Sequence, residues 1–294
     1  MLVITAPTSN IGSRLVSDLL ERGAELRLVA RDPSKLASDV RDRVEIVTGS
    51  HGDAEVIDRA CEGADGVFWL TPNISDAPSI EASFVDFARP ATDAFARHGV
   101  KRVVGVSALG RGTPMADHAG VVTASLEMDD LIAASGVAYR AVVNPSFMDN
   151  LLNQVEAIRE QGKFFMTIEP DLRAPTVATR DIAAVAAELL LDDSWEGSGE
   201  VACLGPEDLS PSEMAEIISE VLGTAVTYQR IPREAFKERM VGFGMSDAMA
   251  QGLVDMFDAK NAGMDNAVQR TPESATPTSF RTWCEEVLRP ALAG

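Results

Sequence analysis

Cysteine is scarce in this chain, with three in 294 residues: Cys61, Cys203 and Cys284. An odd, widely spaced set excludes a disulfide framework and lacks the close spacing of a zinc site. A reduced, cytoplasmic setting is therefore expected. Histidine is equally rare, and tyrosine rarer, with two. Positive charge is in deficit: 26 Lys and Arg stand against 45 Asp and Glu, for a net charge of −19. A field of that sign repels phosphate backbones, which argues against nucleic acid as a partner. No apolar run reaches the roughly 20 residues of a membrane-spanning helix. The run after Met1 breaks at Pro7, so no secretory signal is expected. No metal-ligand cluster and no Ser/His/Asp arrangement stands out.

What is present is a rhythm. LVITA precedes the helix-spaced IGSRLVSDLLERG, and ELRLVA, VEIVTGS, GVFWLT, KRVVGVSA and VAYRAVV follow at intervals filled by helical segments. Short, continuously apolar runs separated by helices read as parallel βαβ units whose sheet is buried on both faces. The spacing predicts one long helix over residues 79–99 and another over residues 117–135, opened by His118. Beyond Asn144 the rhythm loosens. GKFFMTI, EVACLG and VTYQRIP read as strands, and RDIAAVAAELLLD and PSEMAEIISEVLG as helices. Residues 233–266 hold helical, Met- and Phe-containing segments that either pack a core or cap a cleft.

The first strand runs into the turn APTSNIG. Such a turn offers free backbone N–H groups and a helix dipole to a phosphate. Glycines there normally allow tight backbone angles and close approach of a pyrophosphate. Here Ala6 and Ser9 stand where two of them are expected, and only Gly12 remains. Small side chains still permit the approach provided the turn avoids positive φ. The second strand ends in LVARDPSKL. Arg31 falls where an arginine takes the 2′-phosphate of NADP, with Lys35 as a second charge, while the neighbouring Asp32 leaves room for NAD.

With these motifs on view, the chain resembles the NmrA-like branch of the atypical short-chain dehydrogenases/reductases. TAPTSNIG matches its TGATGxxG-like turn and ARDPSKL its VRDPxK. WLTP, VGVSALG and VNPSFMDNLL match the ends of its fourth, fifth and sixth strands, and GPEDLSPSEMAEIISEVLGTAVTYQRIP matches its C-terminal third. The resemblance implies an α/β fold: a Rossmann-type doubly wound parallel sheet with a smaller C-terminal α/β lobe. Residues 1–150 would form the NAD(P)-binding domain. Residues 151–294 would complete the sheet and cover the substrate. Cofactor contacts would come from Thr5, Ala6, Thr8, Ser9, Asn10, Ile11 and Gly12, from Arg31 and Lys35, and from Leu70, Thr71 and Pro72. Ser107, Asn144, Pro145, Ser146 and Phe147 would complete them. The cofactor would be NADP or NAD.

The departures bear on chemistry. The YxxxK pair that donates a proton in short-chain dehydrogenases would fall at Val121 and Ser125, and neither residue is Tyr or Lys. A quinone protonates more readily than an alkoxide and needs no dedicated acid. A simple ketone reduced without one forfeits about 10²–10⁴-fold in rate. His118 is the remaining acid/base candidate, because histidine is the side chain that most often serves as general acid or base. Phe147, Met148 and Asn150, after the sixth strand, are the candidate substrate contacts. The expected function is NAD(P)H-dependent reduction of a small, aromatic, quinone-like substrate, with aromatic polyketide tailoring as one setting. A monooxygenase or hydroxylation partner in that setting, and a non-catalytic NADP-binding redox regulator, are the alternatives. A homodimer is open.

Overall fold

The computed structural model describes residues 1–293. The first half alternates strictly: β1 (Leu2–Thr5), α1 (Asn10–Glu21), β2 (Leu26–Ala30), α2 (Ser38–Arg41), β3 (Glu45–Thr48), α3 (Ala54–Cys61), β4 (Gly66–Trp69), α4 (Phe87–His98), β5 (Arg102–Ala108), α5 (Val121–Ala134) and β6 (Ala138–Asn144). Then come β7 (Ser146–Phe147), α6 (Val155–Gln161), β8 (Lys163–Met166), β9 (Ala174–Val177), α7 (Thr179–Leu191) and β10 (Ser198–Ala202). The chain closes with β11 (Asp208–Leu209), α8 (Pro211–Leu222), β12 (Thr227–Arg230), α9 (Arg233–Gly242), α10 (Asp247–Asn261), α11 (Phe280–Trp283) and α12 (Arg289–Ala293).

Seven strands form one sheet in the order β10-β6-β5-β4-β1-β2-β3, every pair parallel. Both faces are covered, which is why the strands read as unbroken apolar runs. Val3, Val67, Val103 and Tyr139 face one core with Ile57, Phe95 and Met128. Ile4, Leu28, Phe68 and Val142 face the other with Leu15, Leu19 and Ile182. The strand order reverses between β1 and β4. In sheets of this kind ligands bind at that switch point, beyond the carboxyl ends of the strands.

The second half contributes to both lobes. α7 packs on α1, and β10 extends the main sheet beside β6. The remainder builds a smaller lobe from the β11-β9-β7 and β12-β8 sheets, with Met148, Phe164, Ile218, Phe280 and Trp283 in its core. α8 starts from a capping box in which Ser210 and Glu213 each accept from the other's backbone N–H. The three cysteines are buried, and burial pushes each thiol up to about 12, so none is a thiolate nucleophile. No helix among the described residues is long and apolar enough to cross a membrane.

Two expected helices are interrupted. Residues 82–86 form a wide π-helical turn ahead of α4, whose Pro90 has no N–H for the carbonyl of Asp86; the wider turn keeps the proline ring from that carbonyl. The other helix starts at Val121, not residue 117: His118 closes a separate one-turn segment, and Gly120 intervenes with φ 56° and ψ −116°. That conformation is open to glycine alone. It also seats the chain against α10, where an added Cβ would lie 2.1 Å from the carbonyl oxygen of Gly252. Gly120→Ala should therefore cost about 3 kcal/mol or more, from overpacking plus backbone strain. Urea unfolding measures it; a loss below about 1 kcal/mol would contradict this contact.

Candidate functional site at the sheet switch point

The turn after β1 is built around one carbonyl. Ala6 adopts φ +47°, the only positive value outside glycine among the described residues. The expectation of a turn that avoids positive φ is thus corrected: the alanine takes the glycine conformation, at a cost of about 1 kcal/mol. Its oxygen accepts from the Ser9 N–H at 3.1 Å and the Ser9 hydroxyl at 2.8 Å. Ser9 caps α1, and its hydroxyl oxygen accepts from the Gly12 N–H at 2.9 Å. A Cβ on Gly12 would stand 2.2 Å from the Ala6 oxygen, so glycine is required where the helix meets the turn. Of the first-turn donors, Gly12 and Ser13 N–H are used internally. Those of Asn10 and Ile11 have no partner within the helix and suit an anion.

Thr5, expected at the cofactor, is fully buried. It donates to Phe68 O and accepts from Leu70 N–H, each at 2.9 Å. The hydroxyl therefore joins β1 to β4 across the switch point and supports the site from beneath. Ala6, Thr8, Ser9, Arg31, Leu70, Thr71 and Pro72 do line one cavity of about 250 Å³, together with Gly49 and His51. Arg31 is exposed at the mouth. Asp32 turns away: its carboxylate accepts from the Ser34 N–H at 3.0 Å and hydroxyl at 2.6 Å, and those bonds hold it below its ordinary range. The basic residue is left facing the cavity. Lys35 closes the adjoining turn, exposed and outside the lining. A larger groove of about 500 Å³ between α8 and β12 touches none of these loops.

His51 lies in the loop after β3. It is buried, edge-on to Trp69 and Phe87, with Nε2 3.0 Å from the Leu70 carbonyl. A carbonyl only accepts, so Nε2 carries the hydrogen. Burial lowers the ring's pKa to about 4, with nearby Arg31 adding to the effect, so the imidazole is neutral.

The other half of the edge lies at β5 and β6. Asn144 donates to Ser107 O at 3.1 Å and Val142 O at 2.6 Å, while its own Oδ1 is buried without a partner. A buried acceptor left open at a strand end fits a ligand's amide donor. Behind it is a group absent from the sequence reading. The Ser107 hydroxyl lies 3.2 Å from that of Ser125 and donates to Asp129, and Tyr139 donates to the other Asp129 oxygen at 2.5 Å. Burial pushes the Asp129 carboxyl up to about 7, against the two hydrogen bonds. A lone acidic residue on the apolar face of α5 was the available signal.

The remaining expected residues lie in differing surroundings. Met148 sits in the core of the second lobe, 1% exposed, so the structure removes it from the cleft wall. Asn150 is exposed, and Phe147 is half-buried on β7 beside Ser146, beyond the buried Pro145. Asp149 holds the start of α7 by accepting from the Thr179 N–H and hydroxyl. His118 is exposed. α10 spans the loops after β4 and β5: Ser246 reaches Ser75 O and Ala77 O, and Gly252 packs on Ile80 and Val121.

A family model described as NAD(P)H-binding matches residues 8–193. The chain belongs to this family. It is similar to an NAD(P)H azoreductase of Xenophilus azovorans, 28% identical over 97% of this chain and 96% of that one. A (4-alkanoyl-5-oxo-2,5-dihydrofuran-3-yl)methyl phosphate reductase of Streptomyces griseus subsp. griseus is also 28% identical, over 97% of each chain. The NADPH complex of quinone oxidoreductase QOR2 from Escherichia coli superposes with a TM-score of 0.78, at 20% identity, over 97% of this chain and 98% of that one. The cofactor is NADP or NAD; at the switch point, Arg31 and the Asn10 and Ile11 N–H groups are donors of the kind its phosphates require.

The buried carboxyl has a consequence for stability. The folded pKa of Asp129 lies above the ordinary carboxylate value of about 4. Its contribution is therefore fully present below about pH 4 and lost as pH rises through about 7. Asp129→Asn removes the titration. Across that window the wild type should lose about 1.4 kcal/mol per pH unit relative to the variant. Urea unfolding at both ends of the window measures this; a constant difference would contradict the burial argument.

Proposed function

We propose that the protein is an NAD(P)H-dependent oxidoreductase, preferring NADP(H), that reduces a flat aromatic acceptor of the quinone or azo class. The observation that carries the cofactor half is the cavity at the β1/β4 switch point, with Arg31 facing it and Asp32 turned to Ser34. Asn10 and Ile11 N–H would hold the pyrophosphate and Arg31 the 2′-phosphate. Ser107, Asn144 and Phe147 would flank the nicotinamide end. The bound cofactor supplies the hydride; the chain orients it and the acceptor. The acceptor class rests on the names of the azoreductase and quinone oxidoreductase relatives. It also rests on the apolar cover that α10 lays over the β4 and β5 loops.

Calorimetric titration tests the cofactor half. Loss of charge-assisted hydrogen bonds worth about 1.5–3 kcal/mol predicts roughly 10–100-fold weaker NADPH binding by Arg31→Ala, with NADH changed less than about threefold. Equal weakening of both would contradict the assignment. Turnover is tested by following NADPH oxidation with quinones, azo compounds and simple alcohols, with and without oxygen. Oxygen-independent turnover of the first two is expected. Tight binding without turnover would favour a redox regulator, and oxygen consumption with a hydroxylated product a monooxygenase. His118 is exposed and lies outside α5, so His118→Ala should hold its rate within about twofold. A fall of 10² or more would make it the acid.

A further inference from the structure

Building on the oxidoreductase reading, we propose that Asp129 stores a proton that Ser107 passes to the bound acceptor, so that a buried carboxyl–hydroxyl pair supplies the acid of the reaction. Ser107 occupies the last turn-ward position but one of β5, beside the Asn144 end of β6, where the carboxyl edge meets the cleft. Its hydroxyl joins two partners on α5: Ser125 Oγ and the Asp129 carboxyl. Tyr139 closes the group from β6, and the strand beside it makes room. A Cβ on Gly105 would lie 2.2 Å from the Tyr139 hydroxyl.

A carboxyl buried without a cation is costly, and an amide or hydroxyl would satisfy packing alone. The charged and titratable groups around it are few. Arg111, after β5, donates to the Leu126 carbonyl and directs its charge to Asp130 and to Glu200 on β10. Tyr139 faces Asp129 with a proton that burial holds firmly on its oxygen. The neutral acid is thereby favoured, consistent with the upward displacement of the Asp129 carboxyl.

The step balances simply. The acceptor gains a hydride, with its two electrons, from bound NAD(P)H and a proton from Ser107 Oγ. In the neutral acid the Ser107–Asp129 bond runs the other way, from Oδ2–H to Ser107 Oγ, which frees the serine proton for the acceptor; as the serine O–H bond breaks, Ser107 Oγ takes the proton of Asp129 Oδ2. The carboxylate left behind accepts from Ser107 and Tyr139. It regains a proton from water along the same hydroxyl once product leaves. Asp129 acts through Ser107 and is a positioning and storage residue; Ser107 is the group at the acceptor.

The test is steady-state reduction by NADPH of an aromatic azo compound, which needs a proton in the reduction, and of a benzoquinone, which needs little help. Each is followed from about pH 5 to about pH 9, spanning the displaced carboxyl. For the wild type, kcat with the azo compound should fall through one ionisation near neutrality. In Asp129→Asn that ionisation should vanish, and the azo-to-quinone rate ratio should drop about tenfold or more. Tyr139→Phe removes a bond that favours the carboxylate, so its falling limb should move to higher pH. An unchanged limb in either variant, or azo and quinone rates falling together, would overturn the relay and leave the oxidoreductase reading standing. If Asp129→Asn does not fold, the limb of Tyr139→Phe decides. No turnover of either acceptor by the wild type would overturn both.

Discussion

The candidate site depends on the carbonyl of Ala6. Ser9 grips it with its N–H and its hydroxyl, and Gly12 lies against it with no side chain between. Those contacts hold Ala6 at positive φ and aim the first turn of α1 at the cavity. In a glycine-rich turn the backbone reaches this shape at no steric cost. Here the capping bonds offset about 1 kcal/mol of strain. The Thr5 bridge to Phe68 and Leu70 then fixes the neighbouring strand end, so two of the cavity's walls share one hydrogen-bonded support.

Electrostatics act on top of this frame. The chain carries −19 net charge, yet no acidic side chain lines the cavity. Asp32, the one carboxylate adjoining Arg31 in sequence, is committed to Ser34. A phosphate bound as proposed would meet two backbone N–H groups and a guanidinium. At the carboxyl ends of β5 and β6, burial keeps Asp129 leaning to its neutral form, so it would add no fixed negative charge beneath a nicotinamide bound as proposed.

Much of the fold was legible because its signals are local. Strands buried on both faces cannot alternate, so VFWL and VVGV announce themselves as apolar runs. Gly99, at φ 64°, ends α4 where the sequence places a stop. The first-turn residues and Arg31 were legible by spacing. What escaped depends on distant partners. The start of α5 is set by Gly120 against Gly252, 132 positions apart in the chain. The Ser107–Asp129–Tyr139 group draws from two strands and a helix. The apparent substrate residue Met148 looked like its neighbour Phe147, but the chain turns it into the other lobe. His51 showed no partner in sequence, since Leu70 and Trp69 reach it only through the sheet.

The central claim is that a turn stripped of two glycines still cradles a dinucleotide. A crystal structure with NADPH tests it most directly. The account predicts the pyrophosphate on the Asn10 and Ile11 N–H groups, the 2′-phosphate on Arg31, the nicotinamide beside Ser107 and Asn144, and Ala6 still at positive φ. A turn that refolds to negative φ at Ala6, or a cofactor bound away from the β1/β4 switch point, would contradict it.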